Sequence, residues 1–191
     1  MATRSGERKN QILQVLAEML QAPVGEKITT AALAARLDVS EAALYRHFAS
    51  KAQMYEGLIG FVEETVFGLI NKISTEQESG LKQTHAIAAM LLSFAEKNPG
   101  MTRVLIGDAL VNEDARLQTR INQLHDRLEA TLKQTLRLAA TQGEIDKEAD
   151  VAAQANLMLA YITGRWHQYA KSGFKRLPTE LWPKQGPMLL G

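Results

Sequence analysis

Apolar residues recur at intervals of three and four along most of the chain, which is the repeat of an amphipathic helix. The clearest case lies between about residues 112 and 142, where the repeat is carried by Leu117, Ile121, Leu124, Leu128, Leu132 and Leu136. Gly143 follows this stretch and marks the end of the helix. No stretch alternates apolar and polar residues in the way that a half-buried strand does. The pattern therefore predicts an all-α protein.

Pro, Gly and polar breaks divide this repeat into about nine helices. We predict a first helix at about residues 7–21 and a long one at about residues 50–74, which is long enough to join two domains. The sequence Asn-Pro-Gly at 98–100 ends the next helix, and another is predicted at about residues 146–172. Near the end of the chain, the Gly-Pro pair at 186–187 predicts that the last helix is interrupted or shortened.

Between residues 28 and 51 the pattern changes to short helices with strong start signals. Thr29 and Ser40 each provide a hydroxyl that can cap a helix N-terminus, and Ser50 with Gln53 forms a capping box at the start of a third helix. Apolar pairs with the spacing of hydrophobic staples flank the first two caps: Ile28 with Leu33, and Val39 with Leu44. Two short helices joined by a tight turn form a helix-turn-helix, whose second helix can enter the DNA major groove.

The turn and the outward face of this segment are consistent with DNA binding. Asp38 lies in the turn, and Asp tolerates left-handed backbone there, although less well than Gly. The outward-facing side chains carry groups that hydrogen-bond phosphate oxygens, with two small alanines among them. These residues are Thr29, Thr30, Ser40, Glu41, Ala42, Ala43, Tyr45, Arg46, His47 and Lys51. The alternative is a helical hairpin with an ordinary polar surface, and we favour DNA binding.

The run at residues 39–51, Val-Ser-Glu-Ala-Ala-Leu-Tyr-Arg-His-Phe-Ala-Ser-Lys, resembles the DNA-binding signature of the TetR family. The resemblance implies that Tyr45, His47 and Lys51 contact phosphates and that the helix from Ser40 to Arg46 reads bases. Asp38 departs from the family's usual sequence, in which Gly is frequent at this position of the turn. We place the domain boundary so that residues 1–52 form the helix-turn-helix domain and residues 53–191 a helical dimerisation and partner-binding domain.

The composition narrows the chemistry. The 191 residues have a formal net charge of +1, so DNA affinity must come from locally placed cations. The sequence has no cysteine, and the four histidines lack ligand spacing, so we predict neither a metal nor another cofactor. We find no glycine-rich phosphate loop and no nucleophile elbow, and the carboxylates are scattered among basic residues. An enzyme is therefore not predicted.

Membrane association is not predicted either. No apolar run approaches the roughly 20 residues that span a bilayer, and the polar N-terminus lacks the apolar core of a signal peptide. We expect a cytoplasmic protein.

The helix predicted at residues 146–172 carries a second apolar stripe. Its members are spaced four, three, four and three residues apart, like the seam of a coiled coil: Ala155, Leu159, Ile162, Trp166 and Tyr169. Beside it, Ala152, Ala160 and Gly164 form a column of small residues that lets another helix approach closely. The stripe is either internal core or a dimer interface, and we favour the dimer interface.

The middle of the chain resembles one branch of the TetR family, the nucleoid occlusion factors. The resemblance is carried by residues 94–110, Phe-Ala-Glu-Lys-Asn-Pro-Gly-Met-Thr-Arg-Val-Leu-Ile-Gly-Asp-Ala-Leu, and by residues 116–124, Arg-Leu-Gln-Thr-Arg-Ile-Asn-Gln-Leu. It implies a nucleoid-associated homodimer, with higher-order assembly on DNA, that binds palindromic chromosomal sites. It also implies that the DNA-bound protein engages the C-terminal tail of the division protein FtsZ and opposes ring assembly over the nucleoid.

The same resemblance implies a groove for that tail. It is formed by Phe61 on the long helix and by Met90, Lys97 and Asn98 on the next helix. Two positions depart from this branch of the family. Leu69 stands where its members can carry Arg, and Ser93 stands where they can carry Gly. The alternative function is a ligand-responsive repressor of the TetR type. A packed interior with an exposed groove favours nucleoid occlusion, whereas a large buried cavity favours the repressor.

Overall fold

Nine α-helices and one short 3₁₀ turn occur in residues 2–22 and 28–190, the part of the chain that the computed structural model describes, and no strand occurs there. The helices are α1 (Ala2–Met19), α2 (Thr30–Arg36), α3 (Glu41–Tyr45), α4 (Lys51–Glu76), α5 (Gly80–Lys97), α6 (Pro99–Leu105), α7 (Ala115–Gln142), α8 (Val151–Lys171) and α9 (Trp182–Leu190). The 3₁₀ turn, Asp108–Leu110, lies between α6 and α7. The predicted all-α architecture is confirmed. No helix in the described ranges is long and apolar enough to cross a membrane.

The three predicted caps start the helices of the N-terminal segment. The side-chain oxygens of Thr29, Ser40 and Ser50 each accept a hydrogen bond from the N–H three residues later, at 3.1, 3.3 and 3.2 Å. Gln53 Oε1 accepts from the N–H of Ala49 at 2.9 Å, one residue before the Ser50 that the capping-box prediction implied. Each cap contributes about 1 kcal/mol, so the starts of α2, α3 and α4 are fixed locally.

The turn between α2 and α3 passes through left-handed backbone. Asp38 has a φ of 53°, as the sequence predicted. The N–H of Val39 donates to the carbonyl of Ala34 at 3.0 Å and closes the turn. Leu33 and Leu44 are buried on the inner faces of the two helices. The two short helices are therefore held at a defined angle by a turn and a shared apolar contact.

The helical body packs around α7. Its predicted apolar stripe is buried from end to end and faces α5 on one side and α8 on the other. At the α5–α7 contact, Thr84 Oγ1 donates to Thr135 Oγ1 at 2.8 Å, and both side chains are buried. Helix α4 has 26 residues and runs from the helix-turn-helix into this body, where it packs on α5 and α7.

The stripe predicted as a dimer seam lies inside the chain's own core. Each of its five residues, Ala155, Leu159, Ile162, Trp166 and Tyr169, is 8% exposed or less. Trp166 Nε1 donates to the carbonyl of Leu91 at 3.2 Å, and the Tyr169 hydroxyl donates to the carbonyl of Glu96 at 2.9 Å, so both aromatic side chains face α5. This placement corrects the predicted seam. The small residues Ala160 and Gly164 beside it stay at the surface of α8.

Helix α9 continues through the predicted break. Pro187 lies inside the helix, which ends at Leu190, so the prediction of an interruption at 186–187 is wrong. Pro187 removes one backbone donor, which would have bonded to the carbonyl of Pro183, and the helix nevertheless continues for three residues beyond it. Gly186 packs against the ring of Trp182, where a Cβ would approach the ring to 3.1 Å. Helix α1 also differs from its prediction, since it begins at Ala2 rather than near residue 7.

The head, by which we mean α1–α3, is attached to the body through α6. A Cβ on Gly100 would lie 2.0 Å from the carbonyl oxygen of Ala17, so α6 touches α1 backbone to backbone. One turn later, Arg103 Nη1 donates to the carbonyl of Leu20 at 3.1 Å, and Arg103 Nε donates to Asp108 at 3.0 Å. Burial alone would raise the pKa of Asp108, but hydrogen bonds from Lys171 and Arg103 hold it below its ordinary value.

We predict that Gly100→Ala lowers the free energy of unfolding by about 1–3 kcal/mol, because the added methyl forces α6 away from α1. Gly68→Ala is the matched control, since Gly68 lies on an exposed face of α4 with no atom within 4 Å of its Cβ position. That change is expected to stabilise the helix by about 0.5–1 kcal/mol. Urea denaturation followed by circular dichroism measures both. Equal stabilities of the two variants would contradict the close contact.

Candidate DNA-binding surface and partner groove

A hydrogen-bonded network joins the outward faces of α2 and α3. Thr30 Oγ1 donates to Glu41 Oε2 at 2.6 Å, and the Tyr45 hydroxyl donates to Thr30 Oγ1 at 3.5 Å. Tyr45 is 45% exposed, so its ring stands out from the helix pair. Thr30, Glu41 and Tyr45 thus form one polar surface patch across the helix-turn-helix. Hydroxyls in this position can donate to phosphate oxygens, and a carboxylate can accept from a cytosine amino group.

The other predicted contact residues surround this network. Thr29, Ser40, Ala42 and Arg46 are exposed, while Ala43 and His47 are half-buried. The Thr29 and Ser40 oxygens accept the cap hydrogen bonds, which leaves their O–H groups available as donors. The structure brings all of these residues together on the surface of α2 and α3.

The resemblance implied that Lys51 contacts a DNA phosphate, but in the structure its side chain already has a partner. Its ammonium forms an ion pair with Glu113, in the loop before α7, and lies 5.6 Å from the ring centroid of Tyr55. Sequence reasoning missed Glu113, because the two residues are 62 positions apart and nothing local links them. Lys51 is therefore held between the head and the body.

Basic side chains on the head and at the start of α4 supply the local positive charge that the overall net charge lacks. They are Arg8 and Lys9 on α1, Arg36 on α2, Arg46 after α3 and Lys51 on α4. Lys9 lies 5.6 Å from the ring centroid of Phe48, which places this cation beside the helix-turn-helix. Phosphate contacts from such residues dominate sequence-independent DNA affinity.

An open groove of about 390 Å³ lies next to the head, between α1, α4 and the start of α6. Its floor is apolar and its rim polar: Leu13, Ala17, Leu58, Phe61 and Met101 form the floor, and Asn10, Gln14, Glu18, Gln21 and Asn98 form the rim. Phe61 is 48% exposed, which is unusual for a large apolar side chain on a packed helix. This is the size and lining of a site that takes a short peptide or a small molecule.

The groove matches the predicted tail site only in part. Phe61 and Asn98 line it together. Met90 is half-buried and packs against the core, and Lys97 is exposed at the end of α5, so neither belongs to the lining. Sequence reasoning missed the wall formed by α1, because α1 meets α4 and α6 there through contacts between residues far apart in the sequence.

The fold and the polar surface of α2 and α3 define a DNA-binding regulator of the helix-turn-helix type. Residues 25–58 match the family model described as bacterial regulatory proteins, tetR family. Residues 76–190 match the SlmA-like model described as tetracyclin repressor-like, C-terminal domain. The chain belongs to the TetR family, in its SlmA-like group.

The curated relatives agree over nearly the whole chain. Nucleoid occlusion factor SlmA of Idiomarina loihiensis is 51% identical over 185 residues, which is 97% of this chain and 94% of the relative. Nucleoid occlusion factor SlmA of a Marinomonas species is 47% identical over 189 residues, which is 99% of this chain and 96% of the relative. The chain is a DNA-binding regulator and not an enzyme, as predicted.

Solved structures share the fold at low sequence identity. The transcriptional regulator FadR of Bacillus subtilis, determined in complex with stearoyl-CoA, has a TM-score of 0.77 and 16% identity, covering 95% of this chain and 97% of that one. The TetR family regulator PfmR of Thermus thermophilus has a TM-score of 0.72 and 21% identity, covering 94% of each chain. These likenesses confirm the predicted TetR-like architecture.

We predict that Tyr45→Phe and Arg46→Ala weaken DNA binding in different ways. Loss of the Tyr45 hydroxyl removes a phosphate contact, so affinity should fall equally on all sequences, by about 1.5–3 kcal/mol. Loss of Arg46 should alter sequence preference, since a side chain reaching a base edge contributes about 1–3 kcal/mol of discrimination. Fluorescence anisotropy with a duplex selected from a random library, and with a scrambled duplex, measures both. An unchanged ratio of the two affinities for Arg46→Ala would remove Arg46 from base reading.

Proposed function

We propose that this protein is a nucleoid occlusion factor. It binds palindromic chromosomal sites as a homodimer, and in the bound state it engages the C-terminal tail of FtsZ and opposes ring assembly over the nucleoid. The observation that carries the proposal is the identity of 51% over 97% of the chain with a protein named for nucleoid occlusion. The open groove beside the head supports the partner-binding half of the proposal.

Dimerisation runs through the exposed face of α8 together with α9 in this proposal. That face holds Leu157, which is 54% exposed, and a depression of about 740 Å³ in which Ala160, Gly164 and Leu181 lie among mostly polar and charged residues. Small residues on α8 let a partner helix approach, and apolar residues around them have no other cover within the chain. A two-fold axis through this face presents two reading helices, which palindromic sites require.

We predict that Gly164→Leu prevents dimerisation without unfolding the chain. No atom lies within 4 Å of a Cβ at Gly164, so the larger side chain fits the single chain but blocks a partner helix. Gly68→Leu is the matched control, because Gly68 has the same open surroundings on α4. Sedimentation velocity reports the outcome. A dimeric Gly164→Leu protein would exclude this face.

The groove suits the end of an extended, partly apolar peptide. Phe61 and Met101 provide an apolar floor, and the exposed Lys97 lies just outside the rim at the end of α5. Asn98 Nδ2 donates to the carbonyl of Phe94 at 2.7 Å, which leaves its Oδ1 free to accept from a peptide N–H. Apolar anchors in such grooves provide most of the affinity, and charges at the rim mainly affect the association rate.

We predict that Phe61→Ala weakens binding of an FtsZ tail peptide by about 2 kcal/mol or more, because a central apolar anchor is removed. Lys97→Ala should weaken it less, and chiefly at low salt. Leu138→Ala is the control, since Leu138 is an exposed leucine on α7 outside the groove. Anisotropy of a labelled tail peptide, measured with the selected duplex present and absent, gives the affinities. Wild-type peptide affinity in a folded Phe61→Ala protein would refute the groove assignment.

The alternative of a ligand-responsive repressor calls for a large cavity inside the helical body. Trp166, 1% exposed and hydrogen-bonded to α5, fills the space between α5, α7 and α8, and Tyr169 extends the same contact. The groove beside the head lies outside this core and is open to solvent. We therefore favour nucleoid occlusion.

A further inference from the structure

The ion pair of Lys51 with Glu113 joins the head to the body at a predicted phosphate contact. Lys51 is the first residue of α4, and Glu113 lies in the loop between the 3₁₀ turn and α7. The two side chains are only 22% and 18% exposed, so the pair is shielded from much of the solvent. Partial shielding makes such a contact stronger than an exposed surface pair.

The position of Lys51 explains why an anion is favoured there. A helix N-terminus carries partial positive charge, so a cation in the first turn of α4 is at the unfavourable end of the helix dipole. The negative charge of Glu113 offsets both the positive end of the helix dipole and the charge of the Lys51 ammonium. Its charge is also felt by the buried Tyr55, whose pKa is raised first by burial and then by the Glu113 carboxylate. A DNA phosphate provides the same kind of anion, and phosphates bind readily at helix N-termini and to lysine.

The loop that presents Glu113 is itself fixed to the body. The N–H of Glu113 donates to the carbonyl of Leu110 at 3.0 Å, and Asn112 before it has a φ of 66°. The 3₁₀ turn that leads into the loop begins at Asp108, which pairs with Arg103 on α6 and with Lys171 on α8. The carboxylate is therefore held against Lys51 by contacts that run through α6 and α8.

We propose that Glu113 competes with DNA phosphate for Lys51 and so lowers the DNA affinity of the protein. The inference rests on the proposed DNA contact of Lys51. The ion pair has to open before Lys51 binds a phosphate, so the cost of opening is subtracted from the binding free energy. A partner that draws the Glu113 loop away from the head raises the DNA affinity. Because linkage is reciprocal, DNA binding raises the affinity for that partner by the same factor.

Glu113→Gln tests the competition, because it removes the charge and keeps the size of the side chain. We expect the variant to bind the selected duplex about threefold to tenfold more tightly than the wild-type protein, the range for a partly shielded ion pair. On a Lys51→Ala background the same change should leave the affinity unaltered, since no ammonium remains to be released. Glu64→Gln, at an exposed carboxylate on α4, controls for the change in net charge.

The wild-type protein and its four variants separate the possible failures. An unchanged or weaker affinity of Glu113→Gln overturns the competition, and so does an equal gain on the Lys51→Ala background or in Glu64→Gln, which would reflect general charge repulsion. If Lys51→Ala binds DNA as well as the wild-type protein, both the phosphate contact and the competition fail. If the wild-type protein selects no duplex, the proposed function fails with them.

Discussion

The backbone contact between α6 and α1 is the constraint on which the rest of the structure depends. Glycine is the only residue type that allows this approach at position 100, because any Cβ there would overlap the carbonyl oxygen of Ala17. The contact sets the position of α1, and α1 carries α2 and α3 through the shared apolar core of the head. It also brings Met101 opposite Leu13 and Phe61, so the same approach that positions the helix-turn-helix forms the open groove beside the head.

Electrostatic contacts reinforce this attachment and extend it across the body. Arg103 reaches the carbonyl at the end of α1 and the carboxylate of Asp108, which Lys171 also binds from α8. Lys51 and Glu113 provide a second connection, from the start of α4 to the loop before α7. A groove with one wall on the head and another on the body gives its occupant a direct effect on head position. Peptide binding and DNA binding are expected to be coupled for that reason.

The helices and their N-terminal ends were predictable from the sequence, because they depend on interactions between residues close together in the chain. The hydroxyl caps at Thr29, Ser40 and Ser50, and the left-handed Asp38, depend on a few neighbouring residues and appear in the structure as expected. The side of α8 that faces a partner was not predictable, because internal core and dimer interface share one helical repeat. Trp166 and its neighbours turned out to be core.

The remaining differences all involve contacts between distant parts of the chain. The α1 wall of the groove and the pairing of Lys51 with Glu113 join residues that are far apart in the sequence, and no local pattern predicts either contact. Met90 and Lys97 came from family resemblance, and the structure places them outside the groove lining. Of the four residues that the resemblance implied, Phe61 and Asn98 line the groove.

FtsZ assembly in the presence of this protein tests the central claim most directly. Right-angle light scattering of FtsZ with GTP follows polymer formation, and the protein is added with and without the duplex it selects. We expect the protein and duplex together to abolish most of the scattering, and the protein alone to have a much weaker effect. Unchanged FtsZ polymers in the presence of protein saturated with duplex would contradict it.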